Sequence, residues 1–172
     1  MGDIKRKRKL YKRPRKPFEL ERIQGENKIA EKYGLKNKRE IWKANSMVSK
    51  LRNRAKELIP KPQEEKDKFF EKLRKEGYII TNISDVLALK TEDLLDKRLQ
   101  TFVLKKGLAN TTKQARQLIA HKYILVDGKM VNSPSFHITK DLENKIELKE
   151  GKRKVEKAQE EKENEEEEAE NE

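Results

Sequence analysis

Apolar residues recur every three or four positions from Ile41 to Leu58, taking in Ala44, Val48, Leu51 and Ala55. That period is one face of an α-helix, and it predicts a helix from Arg39 to Leu58. Pro60 and Pro62 stop it. Before it, a shorter helix is expected from Glu19 to Tyr33, with Leu20, Ile23, Ala30 and Tyr33 on its apolar side and Gly34 as its terminator. After it, Gln63 to Lys75 carries Phe69, Phe70 and Leu73 inward, and Gly77 closes the segment. Ser84 is then expected to cap a short helix bearing Val86, Leu87 and Leu89.

Further along, the pattern shortens. Thr91 can cap a helix whose first turn holds Glu92 and Asp93, favourable near the positive end of the helix dipole. Leu95, Leu99, Phe102 and Val103 form its stripe, and Gly107 ends it. Asn110 or Thr111 caps a second helix, from about Thr112 to His121, with Ala115, Leu118 and Ile119 inward. Two helices joined by a short Gly-containing turn resemble a helix-turn-helix. β-prone residues follow. Tyr123 to Val126 leads into Asp127-Gly128, a hairpin turn signal, and Lys129 to Val131 returns. Pro134 breaks the run, and Phe136-His137-Ile138 and Lys145 to Leu148 offer two more short strands. The fold class is therefore α+β: a mostly helical N-terminal region plus a small helix-helix-strand module with a short antiparallel sheet. The module lacks a long recognition helix for the DNA major groove. The glycine-aromatic run of the RRM and the GXXG loop of KH are also missing.

Charge sharpens this picture. The chain has 172 residues, 43% of them charged and 33% hydrophobic, which allows only modest cores. The net charge of +12 hides an asymmetry. From Gly151 onward there are five Lys/Arg against ten Glu, so the preceding residues carry a net +17. A body that basic calls for a polyanion, either nucleic acid or an anionic membrane surface. No stretch is apolar enough to span a membrane and no signal-peptide core follows the basic start, so a soluble, intracellular, cytoplasmic protein is expected. There are no cysteines, which excludes disulfides and cysteine-ligated zinc. His121 and His137 lie far apart, and surface roles are expected of them rather than metal ligation. No Gly-rich phosphate loop, nucleophile elbow or paired-carboxylate pocket is apparent, so neither an enzyme nor a cofactor is expected.

The basic residues fall into three groups. Residues 1–18 form an arm with Lys5, Arg6, Lys7, Arg8, Lys9, Lys12, Arg13, Arg15 and Lys16 against one acid, Asp3. Pro14 and Pro17 block a helix there. Alone, such an arm is disordered by charge repulsion, and it is expected to order against phosphates. A nonspecific or nuclear-localisation-like tail is the plainer alternative. On the helix expected from Arg39, the side chains of Arg39, Lys43, Lys50 and Arg54 fall within about 60° of one another, well off the apolar stripe. Trp42, beside that stripe, is expected to pack rather than stack on a base. In the module, Lys97, Arg98 and Lys105 share one side with Thr101, Lys113, Arg116 and Gln117 lie opposite the inward residues, and Lys122 follows. All these groups are candidate RNA contacts. The chain thus divides into an arm (1–18), a helical region (19–93), the module (94–150) and an acidic tail (151–172) expected to be disordered.

The stretch GLANTTKQARQLIAHKYILVDGKMVNSPSF resembles the S-four RNA-binding domain. KRPRKPFELERI, KYGLKNKREIWK and LKTEDLLDKRLQTFVLKKGLANT are similar to the archaeal and eukaryotic branch of the ribosomal protein S-four family. That resemblance implies a structural constituent of the small ribosomal subunit that binds small-subunit ribosomal RNA, nucleates assembly of the subunit body and contributes to translational accuracy. It also implies a neighbouring ribosomal protein of the S-five family and other small-subunit proteins as partners. The four-cysteine zinc knuckle of some bacterial relatives is not carried over, since this chain has no Cys. The acidic tail lies outside the family pattern. Two other readings remain beside it. One is a standalone stress or recycling factor that binds ribosomal RNA transiently. The other is an RNA-modifying enzyme, which would need a large catalytic domain for which the chain has no room.

Overall fold

The computed structural model describes residues 10–149; the Lys5–Lys9 run and the acidic tail lie outside them. Seven α-helices appear among these residues: α1 (Leu20–Lys32), α2 (Lys38–Leu58), α3 (Gln63–Lys75), α4 (Ile83–Ala88), α5 (Thr91–Asp96), α6 (Leu99–Lys105) and α7 (Thr112–Ala120). They are followed by β1 (Ile124–Val126), β2 (Lys129–Met130), a 3-10 turn at Lys140–Lys145 and β3 (Ile146–Leu148). The result is mostly helical with one small three-stranded antiparallel sheet, as the pattern of apolar positions led us to expect.

The apolar stripe of α2 is buried at Ile41, Ala44, Val48, Ala55 and Leu58, with Leu51 half-buried. It supports a first core that also takes in Tyr33, Phe70, Leu73, Tyr78, Val86, Leu94 and Leu95. On α1 the inward line differs from expectation. Leu20 is 67% exposed, and the carboxylate residue Glu26 is buried in the line that continues to Ile29 and Tyr33. The cap of α4 also differs. Asn82 occupies the N-cap and Ser84 lies inside the helix; Asp85 accepts from the backbone N–H groups of Thr81 and Asn82, each at 2.9 Å.

The single helix expected from Thr91 to Gly107 is two helices. Lys90 is the N-cap of α5, and Asp93 accepts its backbone N–H at 2.7 Å. The chain then breaks at Lys97 and Arg98. The segment 134–138 explains the break. Leu99 N–H donates to the Phe136 carbonyl at 2.8 Å, and Ile138 N–H donates to the Lys97 carbonyl at 2.9 Å. Phe136-His137-Ile138, expected as a strand, therefore pairs with the helix junction through one isolated Arg98–His137 bridge. Tertiary hydrogen bonds here outweigh a continuous apolar period.

A second core lies beyond the break: Leu99, Phe102, Val103, Ala115, Leu118, Ile119, Ile124, Val126, Ile138, Ile146 and Leu148, with Ala109. Thr111 caps α7 by accepting the Gln114 N–H at 3.2 Å. The sheet order is β2-β1-β3, all antiparallel. Its register pairs Ile124 with Leu148 and Val126 with Ile146, which puts all four side chains on the core face. The β1–β2 turn has positive φ at both central residues, Asp127 (53°) and Gly128 (73°), as a type I′ hairpin requires. Lys145 closes on Asp127 at 2.8 Å and fastens that turn to the third strand.

Candidate nucleic-acid interface

The outward side of α2 is basic. Arg39, Lys43, Lys50 and Arg54 are all exposed. Arg39 stands 5.4 Å from the centre of the Tyr11 ring, and Arg54 is 3.3 Å from Glu57. Lys43 and Lys50 have no carboxylate partner among the described residues. Both lysines line a cleft of about 310 Å³ whose other walls are Leu10, Ala44, Met47, Leu94, Arg98, Ser135 and His137. No Asp or Glu lines it, so the charges on its walls are all basic. His137 is exposed at the cleft's mouth, yet partial desolvation and the nearby Arg98 charge hold its imidazole below its ordinary pKa.

The described part of the basic arm is held by protein contacts. Tyr11 stacks on Trp42 with ring centres 6.2 Å apart and an interplanar angle of 29°. Arg22 donates to the Lys16 carbonyl at 3.1 Å and to the Pro17 carbonyl at 2.9 Å. These contacts run the segment after Leu10 along α1 and α2. Lys12, Arg13, Arg15 and Lys16 remain exposed on the outer side. Trp42 packs as expected, and its indole N–H donates to Glu26 at 2.9 Å.

In the module the candidates separate. Lys105, Lys113, Gln117 and Lys122 are exposed. Lys105 Nζ lies 5.8 Å from the centre of the Phe102 ring. Lys97 is half-buried, 3.6 Å from Glu143. Arg98 and Arg116 turn inward to one carboxylate, Glu40. Arg98 donates to it at 3.0 Å, and Arg116 donates at 2.8 and 3.4 Å. Burial pushes the Glu40 carboxyl up, but the two guanidiniums outweigh it and hold it below the usual carboxylate value. Burial also lowers Arg98 from its ordinary value, opposed by Glu40. His121 sits exposed at the end of α7, 6.4 Å from the Tyr123 ring.

Sequence reasoning missed Glu40 and Glu26. Glu40 did leave a signal: it is the only acid between Lys36 and Lys56, isolated among the bases of the first turns of α2. Glu26 left none, since it occupies a helical position where an apolar residue would serve.

No helix among the described residues is long and apolar enough to cross a membrane. The sequence profile of the S4 domain matches residues 97–143, from the break before α6 into the 3-10 turn ahead of β3. A basic helical region joined to that module defines the class: an S4-domain protein. The similarity extends well beyond the module. Over 154 residues the chain is 46% identical to small ribosomal subunit protein uS4 of Saccharolobus islandicus (strain L.S.2.15), covering 86% of this chain and 85% of the relative. It is 45% identical, over the same shares, to small ribosomal subunit protein uS4 of Saccharolobus solfataricus. The chain belongs to the uS4 family of small-ribosomal-subunit proteins. Membership makes it a ribosomal protein and not an enzyme.

Proposed function

We propose that this chain is a structural, ribosomal-RNA-binding constituent of the small subunit, and that its contact surface is built from the exposed bases of the arm, α2 and the S4 module. One observation carries the reading. Lys12, Arg13, Arg15, Lys16, Lys43, Lys50, Lys113 and Lys122 are exposed without a carboxylate partner among the described residues, whereas Arg98 and Arg116 are compensated from within. Solvent-facing cations left uncompensated in a body of net charge +17 repel one another until phosphates neutralise them. Arg39, Arg54, Lys97, Lys105 and Gln117 extend the same surface, and Lys5–Lys9 would lengthen it along the arm. Arg98 and Arg116 support it from behind.

On this reading the protein binds early, nucleates the subunit body and contributes to translational accuracy. An S-five-family ribosomal protein and other small-subunit proteins are its neighbours. The family resemblance supports these roles. The division into arm, helical region, module and acidic tail follows the same proposal. Hydroxyl-radical footprinting of isolated small-subunit RNA, with the full chain added, is the direct test. A compact protected region that weakens when Lys43, Lys50 and Lys113 are together changed to Glu is the expected result. Protection unchanged by that triple variant would place the RNA on another face.

A further inference from the structure

The two apolar cores meet through polar groups. The first core ends at Leu95 and the second begins at Leu99. Between them stands Glu40, carried on α2 and therefore on the side of the first core. It holds Arg98, at the α5–α6 break, and Arg116, on α7. One carboxylate from the helical region thus grips the module at two points. Gln100, 4% exposed, makes the neighbouring tie, donating to the Tyr33 carbonyl at 2.7 Å and the Thr112 carbonyl at 3.1 Å.

Such a joint differs from an apolar one. Apolar surfaces tolerate sliding, but a fork of N–H donors on a carboxylate fixes both distance and angle. Removing the carboxylate would also leave two guanidiniums close together, one of them 6% exposed, with no counter-charge. The joint would then loosen, with the Gln100 ties still in place. The cations proposed to meet RNA lie on both sides of it: Lys43 and Lys50 on α2, Lys113 on α7. A rigid polyanion rewards them together only if their separation is set beforehand; otherwise binding carries the cost of ordering the joint.

We propose that Glu40 is a positioning residue: by holding Arg98 and Arg116 it fixes the orientation of the S4 module against the helical region, so that the bases of α2 and α7 form one prearranged RNA-binding surface. This rests on the RNA-binding reading above and adds to it the device that sets the surface's shape. It also assigns Arg98 and Arg116 to the protein's own joint.

The test uses the full chain with spin labels on cysteines introduced at Glu71, exposed on α3, and Lys129, exposed on β2; the chain has no native cysteine to compete. Pulsed dipolar spectroscopy should give one narrow distance distribution for the parent. Glu40→Gln should broaden it in the free protein while far-UV circular dichroism stays unchanged, and small-subunit RNA should narrow it again. The same variant should weaken RNA binding by roughly tenfold or more, and Glu40→Asp should recover part of both effects. A distribution for Glu40→Gln as narrow as the parent's would overturn the proposal, as would a broad one with unchanged affinity. If Glu40→Gln fails to fold, Glu40→Asp carries the same test, with intermediate broadening expected. The distance measurement needs no RNA. Failure of the parent to bind RNA would sink the functional reading and leave the joint still measured.

Discussion

The indole N–H of Trp42 donates to the buried carboxylate of Glu26 at 2.9 Å, and this bond joins α2 to α1 where apolar packing runs thin. Arg22 meets the same oxygen at 2.7 Å, and Lys38 stands 4.0 Å from the other. The Tyr11 ring stacks on Trp42, so one side chain serves both the helix pair and the basic arm. A buried acid is tolerated here because its charge is met by an arginine and an indole together.

Trp42→Phe should therefore cost about 1–3 kcal/mol of stability, the range for depriving a buried polar group of a partner. Urea denaturation of Trp42→Phe, Glu26→Leu and the double variant, each single change removing the bond, would measure the coupling. A coupling energy near zero would mean that Trp42 acts only through its ring area.

The two sides of α7 should respond in opposite ways. Leu118 is 1% exposed in the second core, so Leu118→Ala should cost about 2–5 kcal/mol. Lys113 is exposed on the other side, and Lys113→Glu should change stability by less than about 0.5 kcal/mol while clearly weakening RNA binding. Thermal unfolding and RNA titration of both variants check the assignment. Equal stability losses would mean that the helix is rotated.

Local signals were legible in the sequence and tertiary ones were not. The bounds of α3 and the stripe of α2 follow from apolar spacing and flanking prolines, and the Asp127-Gly128 turn follows from two residues that accept positive φ. The α5–α6 break left no trace, because Leu94, Leu95, Leu99, Phe102 and Val103 keep a helical period straight through it. The carbonyls of Pro134 and Phe136 and the N–H of Ile138, about 40 residues later in the chain, divide the helix. The basic face of α2 was visible for the same reason as its apolar face: one period specifies both. Which arginines turn inward was not visible, since that depends on Glu40 arriving from a distant part of the chain.

Binding to small-subunit RNA should depend steeply on salt. If roughly 6–10 phosphates are neutralised, affinity should fall on the order of 10³–10⁵ between about 50 and 200 mM monovalent salt. Filter binding over that range gives the slope. Removing residues 1–18 should flatten it, because Lys12, Arg13, Arg15 and Lys16 leave with the arm. A slope near zero for the full chain would sink the phosphate-contact reading.

His137 should make a small contribution to stability that is lost as pH drops below the ordinary histidine range. In the folded protein the His137 pKa is lowered by desolvation and by Arg98. The unfolded chain, near 6.5, therefore takes up the proton first, and protonation favours unfolding. The contribution is complete above about pH 6.5 and is lost as pH falls through the lower folded value. Urea midpoints between about pH 7.5 and 5 should decline more steeply for the parent than for His137→Gln. Identical declines would show that the imidazole is as well solvated folded as unfolded.

Lys122 is the residue at which stability and binding should pull apart. It follows the C-cap of α7 with φ of 62°, a left-handed conformation in which a side chain is strained and glycine is not. The turn is held in place: Lys122 N–H donates to the Ile119 carbonyl and Tyr123 N–H to the Leu118 carbonyl, each at 3.0 Å. Lys122→Gly keeps those bonds and removes a strain of about 1 kcal/mol, partly offset by the greater freedom of glycine in the unfolded chain. The variant should be no less stable than the parent, and up to about 1 kcal/mol more stable. It should also bind RNA more weakly, with a salt slope reduced by about one phosphate contact. Lys122→Ala keeps the strain and loses the charge, so it should bind as weakly as Lys122→Gly without the gain in stability. If both variants bind RNA as tightly as the parent, Lys122 has no part in the contact surface, and its ammonium group merely occupies an exposed turn.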